Sequence, residues 1–343
     1  MSEEALVYVE RNELRELFKT KLVNAGLPNY LADKTADLMI FADERGIHSH
    51  GSVRTQYYAE RIAKKGLNLD PQFNFEQTGP STGTYFGDNT VGHYVAYEAM
   101  EKAITLAEDS GIGMVGVKEI GHSGAIGYFA EQAAKRGMVA LTVCQSDPMV
   151  VPFGGTEPYF GTNPIAFAAP RENGEPILFD MATTVQAWGK ILDARSKNKS
   201  IPDTWAVDKN GEPTTDPFEV GALLPVAGPK GYGLMMMIDI LSGSLLGLPF
   251  GKHVTSMYED LSEYRRLGQF HIVINPAFFG DKGQFLKQVS EMVEELHAIK
   301  PAKGFDQVYY PGEIQEEVKA QYKESGIPVA QSIYDYLQSD DIY

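Results

Sequence analysis

Seven histidines are few for 343 residues, and three of them fall in polar, turn-rich settings: His48 and His50 in RGIHSHGSVR, and His122 in EIGHSGAIGYF. Imidazole exchanges a proton near neutral pH, so these are the first candidates for acid–base chemistry. His122 follows GMVGVKEI, which reads as a strand, and precedes a helical stretch for which Ser123 is the expected N-cap. The end of a strand in an α/β sheet borders the crevice where ligands bind, and a neighbouring helix N-terminus disfavours imidazolium. A histidine there is placed to accept a proton, or else to hydrogen-bond its own loop. In RGIHSHGSVRTQYYAER, Ser49, His50 and Arg54 lie at a helix start, and Arg54, Tyr58 and Arg61 share one helix face at i, i+4 and i+7. A guanidinium with a tyrosine one turn away suits a carboxylate, unless that face is merely solvated.

Other residues carry weaker signals. His48 and His50 form an H-x-H pair, but they lie between two expected helices and no H-E-x-x-H accompanies them, so no metal is assigned. No G-x-S-x-G elbow supports a serine hydrolase. Asp180, ending the strand PILFDM, could orient a histidine, bind a ribose hydroxyl or cap a helix that Thr183 or Thr184 starts. Lys230 in GPKGYG, just before a helix, is either a phosphate seat or a solvated turn. The single cysteine, Cys144, sits in the apolar run MVALTVC and reads as a core residue. One cysteine and an acidic start, MSEEALVYVERNELRELF, suit a reducing cytoplasm.

The elements that must position these residues follow from pattern. Leu14, Leu17, Phe18 and Leu22 predict a first helix stopped by Gly26; Tyr30 to Arg45 predicts a second closed by Gly46; a third should start at Ser52 as N-cap and reach Gly66. From STGTYFG onward, strands and helices alternate, which points to an α/β sheet with helices on its faces. KGYGLMMMIDILSGSLLG reads as a buried helix, and the tail from YYPGE as helical, polar and packed outside. GIGMVG, residues 111–116, matches the glycine pattern of a dinucleotide-binding turn, but a helix precedes it and a strand follows, the reverse of the Rossmann order. Gly111 is therefore expected to end a helix. A net charge of −16 argues against nucleic acid or an anionic membrane as partner, and no run of about 18 apolar residues occurs.

Together, ADERGIHSHGSVRTQYYAERI, GHSGAIGYFAEQAAKRG, CQSDPMVVPFGGTEPYFGTNPIAFAAP, FDMATTVQAWGKILDARS and PVAGPKGYGLMMMIDILSG resemble the malate/L-lactate dehydrogenase family that is unrelated to Rossmann enzymes. The resemblance implies a three-layer α/β/α fold with a mixed seven-stranded sheet of non-Rossmann topology. It also implies a helical substrate and dimer domain from residues 1–75 with 305–343, and a cofactor-binding α/β domain over 76–304. It implies a nicotinamide cofactor, NAD or NADP, with NAD the expectation here, a small carboxylate substrate, and a homodimer or higher homo-oligomer. His122 would be the proton acceptor, His50 a second catalytic candidate, and Ser49, Arg54 and Tyr58 would meet the substrate. Ser146, Asp180, Met181, Ala182, Lys230, Gly304, Phe305 and Asp306 would contact the cofactor. SIPDTWAVDKNGEPTTDP, QSDPMVVPFGG and KGFDQVYYPGE are most similar to the branch acting on ureidoglycolate. Malate, sulfolactate, a diketo sugar acid or a cyclic imino acid are the alternative substrates, and a metal-dependent hydrolase of ureido compounds is the alternative class.

Overall fold

A computed structural model of the chain describes residues 5–343. A strand, β1 (Leu6–Val9), leads into helices α1 (Arg11–Asn24), α2 (Asn29–Asp43) and α3 (Thr55–Ala63). The alternating stretch gives β2 (Asn74–Gly79), β3 (Thr82–Phe86), α4 (Gly92–Ser110), β4 (Ile112–Ile120), α5 (Gly127–Lys135), β5 (Val139–Cys144), β6 (Ile165–Ala169) and β7 (Ile177–Met181). Helix α6 (Trp188–Ser196), the two-residue strands β8 (Ala206–Val207) and β9 (Ala222–Leu223), and α7 (Pro229–Ser242) follow. The chain ends with β10 (Leu267–Ile274), α8 (Lys282–Ala298), α9 (Glu313–Ser325), β11 (Ile327–Ala330) and α10 (Gln331–Gln338).

The central sheet has seven strands in the order β2-β3-β4-β10-β5-β6-β7. Only β3 and β4 run parallel; every other neighbouring pair is antiparallel, so the sheet is mixed and cannot be a Rossmann sheet. The late strand β10 enters between β4 and β5, and its alternation builds two layers. Phe270 and Ile272 pack with Met114, Leu141, Val143 and Ile238 of α7. Val273 joins Val115, Val117 and Ala140 under α4 and α5, with Met100, Ala103, Phe129 and Ala133. A Cβ on Gly113 would lie 1.9 Å from the Ala103 carbonyl oxygen, so glycine lets α4 rest directly on β4. Gly111, at φ +85°, caps α4 and disposes of the dinucleotide-turn reading as expected.

A second core joins the two ends of the chain. Leu14, Phe18, Leu22, Leu31, Met39, Ile40, Tyr58 and Ile62 pack with Ile327, Val329 and Leu337, and β1 pairs antiparallel with β11. The tail thus contributes more than a polar outer helix: α9 has no buried residue, but β11 and α10 help close this core. Helix α7 also departs from expectation, because Met236, Met237, Ile240 and the following Leu245 are exposed. Among the described residues no helix is long and apolar enough to cross a membrane.

Candidate active site

The S-H-G segment is shaped by the last residue of α2. Asp43 is fully buried; one oxygen lies 2.9 Å from His48 Nδ1, and the other accepts the Ser52 backbone N–H at 2.6 Å. A Cβ on Gly51 would fall 2.1 Å from the Asp43 carboxyl carbon, so only glycine lets the chain wrap this closely. The wrap produces two short 3₁₀ turns, His48–His50 and Ser52–Arg54, ahead of α3. Ser52 therefore does not cap a helix as expected; its N–H is spent on Asp43. Burial pushes the Asp43 carboxyl up, against the pull of His48 and Ser52.

The wrap sets out Ser49, His50 and Arg54. Ser49 Oγ is 3.0 Å from His50 Nδ1, and Arg54 Nε donates to the Ser49 carbonyl at 2.8 Å. Arg54 Nη1 donates to the Tyr258 hydroxyl at 3.0 Å. Arg61, on the same helix face, is buried on the Glu263 carbonyl and the Tyr57 hydroxyl, and takes no part in the cleft.

His122 follows β4, and α3 reaches it from the other side. Tyr58 Oη lies 2.7 Å from His122 Nδ1, and the Gly124 N–H approaches the same nitrogen at 3.3 Å. The His50 ring stacks on His122 with centroids 5.8 Å apart and planes at 19°, and His93 stands 6.3 Å away. Burial lowers all three imidazoles: His50 to about 4, His93 to about 3, and His122 well below 6.5, with His50 and Arg54 adding to the effect on His122. Burial pushes the Tyr58 phenol up. At pH 7 this corner is a set of neutral rings beside one guanidinium.

Asp180 is the penultimate residue of β7, and its Oδ2 accepts the Gly127 N–H at 2.7 Å. The N-terminus of α5 is therefore capped from across the sheet, not by Ser123, whose hydroxyl donates to Gln269. Nor do Thr183 or Thr184 cap α6, which begins after Ala187; Thr183 Oγ1 donates to the Thr162 and Asn163 carbonyls. Burial raises Asp180 to about 6. Ser146 Oγ meets Thr162 Oγ1 at 3.0 Å, and its N–H donates to Asn163 Oδ1. Cys144 is half-buried, and burial pushes its thiol up to about 12, so it is no nucleophile at neutral pH.

A cleft of about 300 Å³ unites Ser49, His50, Arg54 and His122 with Ser146, Asp180, Met181 and Ala182. A second cleft of about 400 Å³ shares Ile47, Asp180 and Gln315 with it and extends past Tyr309 and Gly312. The two make one trough. Tyr58 lies behind its wall, in contact with His122 rather than open to a substrate. Lys230 is exposed at the start of α7, and Gly304, Phe305 and Asp306 are exposed before α9; none of the four lines either cleft. Asp147, Tyr258, Gly312 and Gln315, which sequence reasoning passed over, do line the trough. No local pattern marks them, because each arrives from a different loop.

The H-x-H histidines diverge, one to Asp43 and the other to Ser49. The grouping of carboxylates among the described residues that could suit a cation, Glu131, Glu175 and Glu316, lies elsewhere, and the Arg45 guanidinium binds Glu131 at 2.8 Å and Glu316 at 2.9 Å.

The comparisons with known proteins agree with this geometry. The family described as "Malate/L-lactate dehydrogenase" matches residues 9–338. The chain is 58% identical to the ureidoglycolate dehydrogenase (NAD(+)) of Escherichia coli strain K12, over 98% of this chain and 96% of that one. It is 38% identical to the malate dehydrogenase of Pyrococcus abyssi, over 98% and 94% of the two chains. The solved sulfolactate dehydrogenase of Methanocaldococcus jannaschii superposes with a TM-score of 0.90 at 36% identity, covering 97% of this chain and 96% of that one. With its mixed sheet, its histidine corner and near full-length matches, the chain belongs to the malate/L-lactate dehydrogenase family.

Proposed function

We propose that this protein is an NAD-dependent dehydrogenase that oxidises ureidoglycolate to oxalurate. The observation that carries the reading is a neutral, half-buried His122 where the Arg54 corner opens onto the Asp180 trough; the 58% identity to a ureidoglycolate dehydrogenase points to the substrate. The trough suits an extended dinucleotide in shape and lining: its two linked clefts, of about 300 and about 400 Å³, each fall within the usual range for ligand sites. Ser146, Asp180, Met181 and Ala182 would hold NAD, with the Gly312 segment beyond. Bound NAD supplies the nicotinamide carbon that takes up the hydride.

The chain's own residues do the rest. Arg54 binds the substrate carboxylate and fixes the carbinol carbon. His122 takes the hydroxyl proton on Nε2 as the C–H hydride departs, leaving a C=O. In that state Nδ1 carries its own proton and donates it to the Tyr58 oxygen at 2.7 Å. The Gly124 N–H favours the opposite tautomer, with a bare Nδ1. A phenol oxygen can accept from Nδ1, so Tyr58 favours the tautomer whose bare Nε2 takes the proton, and the same Nδ1–H is kept on the return path. Ser49 and His50 hold the hydroxyl or the ureido group.

Residues 1–75 with 305–343 would form the substrate and dimer unit against the cofactor unit of 76–304. The exposed apolar residues Met236, Met237, Ile240 and Leu245 support a homodimer, and the single half-buried cysteine supports a cytoplasmic setting. The test is the absorbance of reduced cofactor, with NAD and NADP in parallel, across ureidoglycolate, malate and lactate. NADH should form fastest with ureidoglycolate; no signal with it, or a clear preference for malate, would overturn the assignment.

A further inference from the structure

Asp147 lines the substrate cleft beside Ser146, Met257 and Tyr258. Its Oδ1 accepts from Arg265 Nη2 at 3.0 Å, and its Oδ2 accepts the Met257 backbone N–H at 3.1 Å. Arg265 does not line the cleft. It is 2% exposed, donates through Nε to the Thr255 carbonyl at 3.0 Å, and its buried Nη1 has no hydrogen-bond partner among the described residues. Its charge nevertheless reaches the reacting corner, where it helps hold the His122 imidazole down. Among the described residues lining this cleft, Arg54 is the single side chain that is cationic at neutral pH, because His50 and His122 are both held neutral. A second guanidinium is thus present but paired with Asp147.

This charge arrangement sorts 2-hydroxy acids. Each brings one carboxylate, which Arg54 takes. A second carboxylate or sulfonate beside Asp147 would meet a like charge and no free cation, whereas an uncharged group bearing N–H donors would meet acceptors. A carboxylate has about four acceptor sites, of which Arg265 and Met257 occupy one each. We propose that Asp147 determines specificity: by neutralising Arg265 it makes the cleft select monoanionic 2-hydroxy acids with a neutral, N–H-bearing second group and reject dianions such as malate. This rests on the dehydrogenase reading above and narrows its substrate class.

Three enzymes test it: the unmodified chain, Asp147→Asn, and Asp147→Asn combined with Arg265→Met, each assayed for NADH formation from ureidoglycolate and malate. In Asp147→Asn the malate-to-ureidoglycolate ratio of kcat/KM should rise by roughly 10-fold or more, and fall back in the double variant. An unchanged ratio, or a rise that persists without Arg265, would overturn the proposal. A binding measurement on the unmodified enzyme holds even if the variants do not fold. Calorimetry on the NADH-loaded protein should find oxamate, a monoanion with an amide, bound roughly 10-fold or more tightly than dianionic tartronate. Equal binding, or tighter tartronate, would overturn it. Should ureidoglycolate give no NADH, the functional reading fails, while the oxamate and tartronate affinities still decide this one.

Discussion

Two buried polar clusters flank the S-H-G segment, and they handle burial in opposite ways. On one side Arg45, almost wholly withdrawn from solvent, is met by Glu44 at 2.7 Å, Glu131 at 2.8 Å and Glu316 at 2.9 Å. On the other, His50, His93 and His122 crowd together with Tyr58, and among the described residues no carboxylate pairs with them. In the first cluster burial is offset by counter-charge, so ions persist and tie α2, α5 and α9 together. In the second nothing offsets it, so the rings give up their protons and stay neutral. The same loss of water yields a structural clasp in one place and a proton acceptor in the other. Counter-charge decides which.

The comparison can be broken first at His122. His122→Ala should lower kcat by at least about 10²-fold while leaving NADH affinity, measured by fluorescence titration, largely intact. Near-normal turnover would remove His122 from the role. On the other side, Arg45→Met leaves Glu44, Glu131 and Glu316 only their outer partners Arg11, Lys135 and Lys319, and should cost about 3 kcal/mol in urea unfolding, since removing the central cation leaves buried charge undercompensated. A loss below about 1 kcal/mol would mean the clasp is no more than a surface pair. Gly51→Ala, which drives a methyl into Asp43, should cost about 1–3 kcal/mol of stability and lower activity with it. Unaltered melting would show that the loop can relax. The smallest effect is expected from Tyr58→Phe, which keeps the ring but leaves His122 Nδ1 with the Gly124 N–H alone. kcat should fall about 5- to 10-fold, the worth of roughly one buried hydrogen bond, with KM little altered. A change confined to KM would return Tyr58 to the substrate.

Much of this architecture is legible along the chain, and the failures share a cause. His122 could be placed at the end of a strand because GMVGVKEI and the helix after it carry clear local patterns. The spacing correctly set Tyr58 on α3, with Arg54 in the 3₁₀ turn just ahead of it, yet nothing local says that the phenol meets a histidine 64 positions away. Ser123 has the chemistry of a cap, but Asp180 reaches α5 from across the sheet first. The four-residue strands β1 and β11 are too short for periodicity and pair across almost the whole chain. Helix α7 reads as buried because it is apolar on every side; exposure of Met236 and Met237 is a property of its place in the fold. Asp147 and Arg265 are likewise joined only by folding. Local signals are visible in order of residues; partners that the sheet brings together are not.

The pH dependence of kcat/KM for ureidoglycolate oxidation tests the central claim most directly. Oxidation needs an unprotonated His122, and burial, His50 and Arg54 hold its pKa well below the ordinary 6.5. Activity should therefore stay level from about pH 8 down to 6.5 and decline only in more acid solution, as the imidazole takes up a proton. An acid limb centred at or above 6.5 would mean an ordinary, solvated histidine, and would contradict the account.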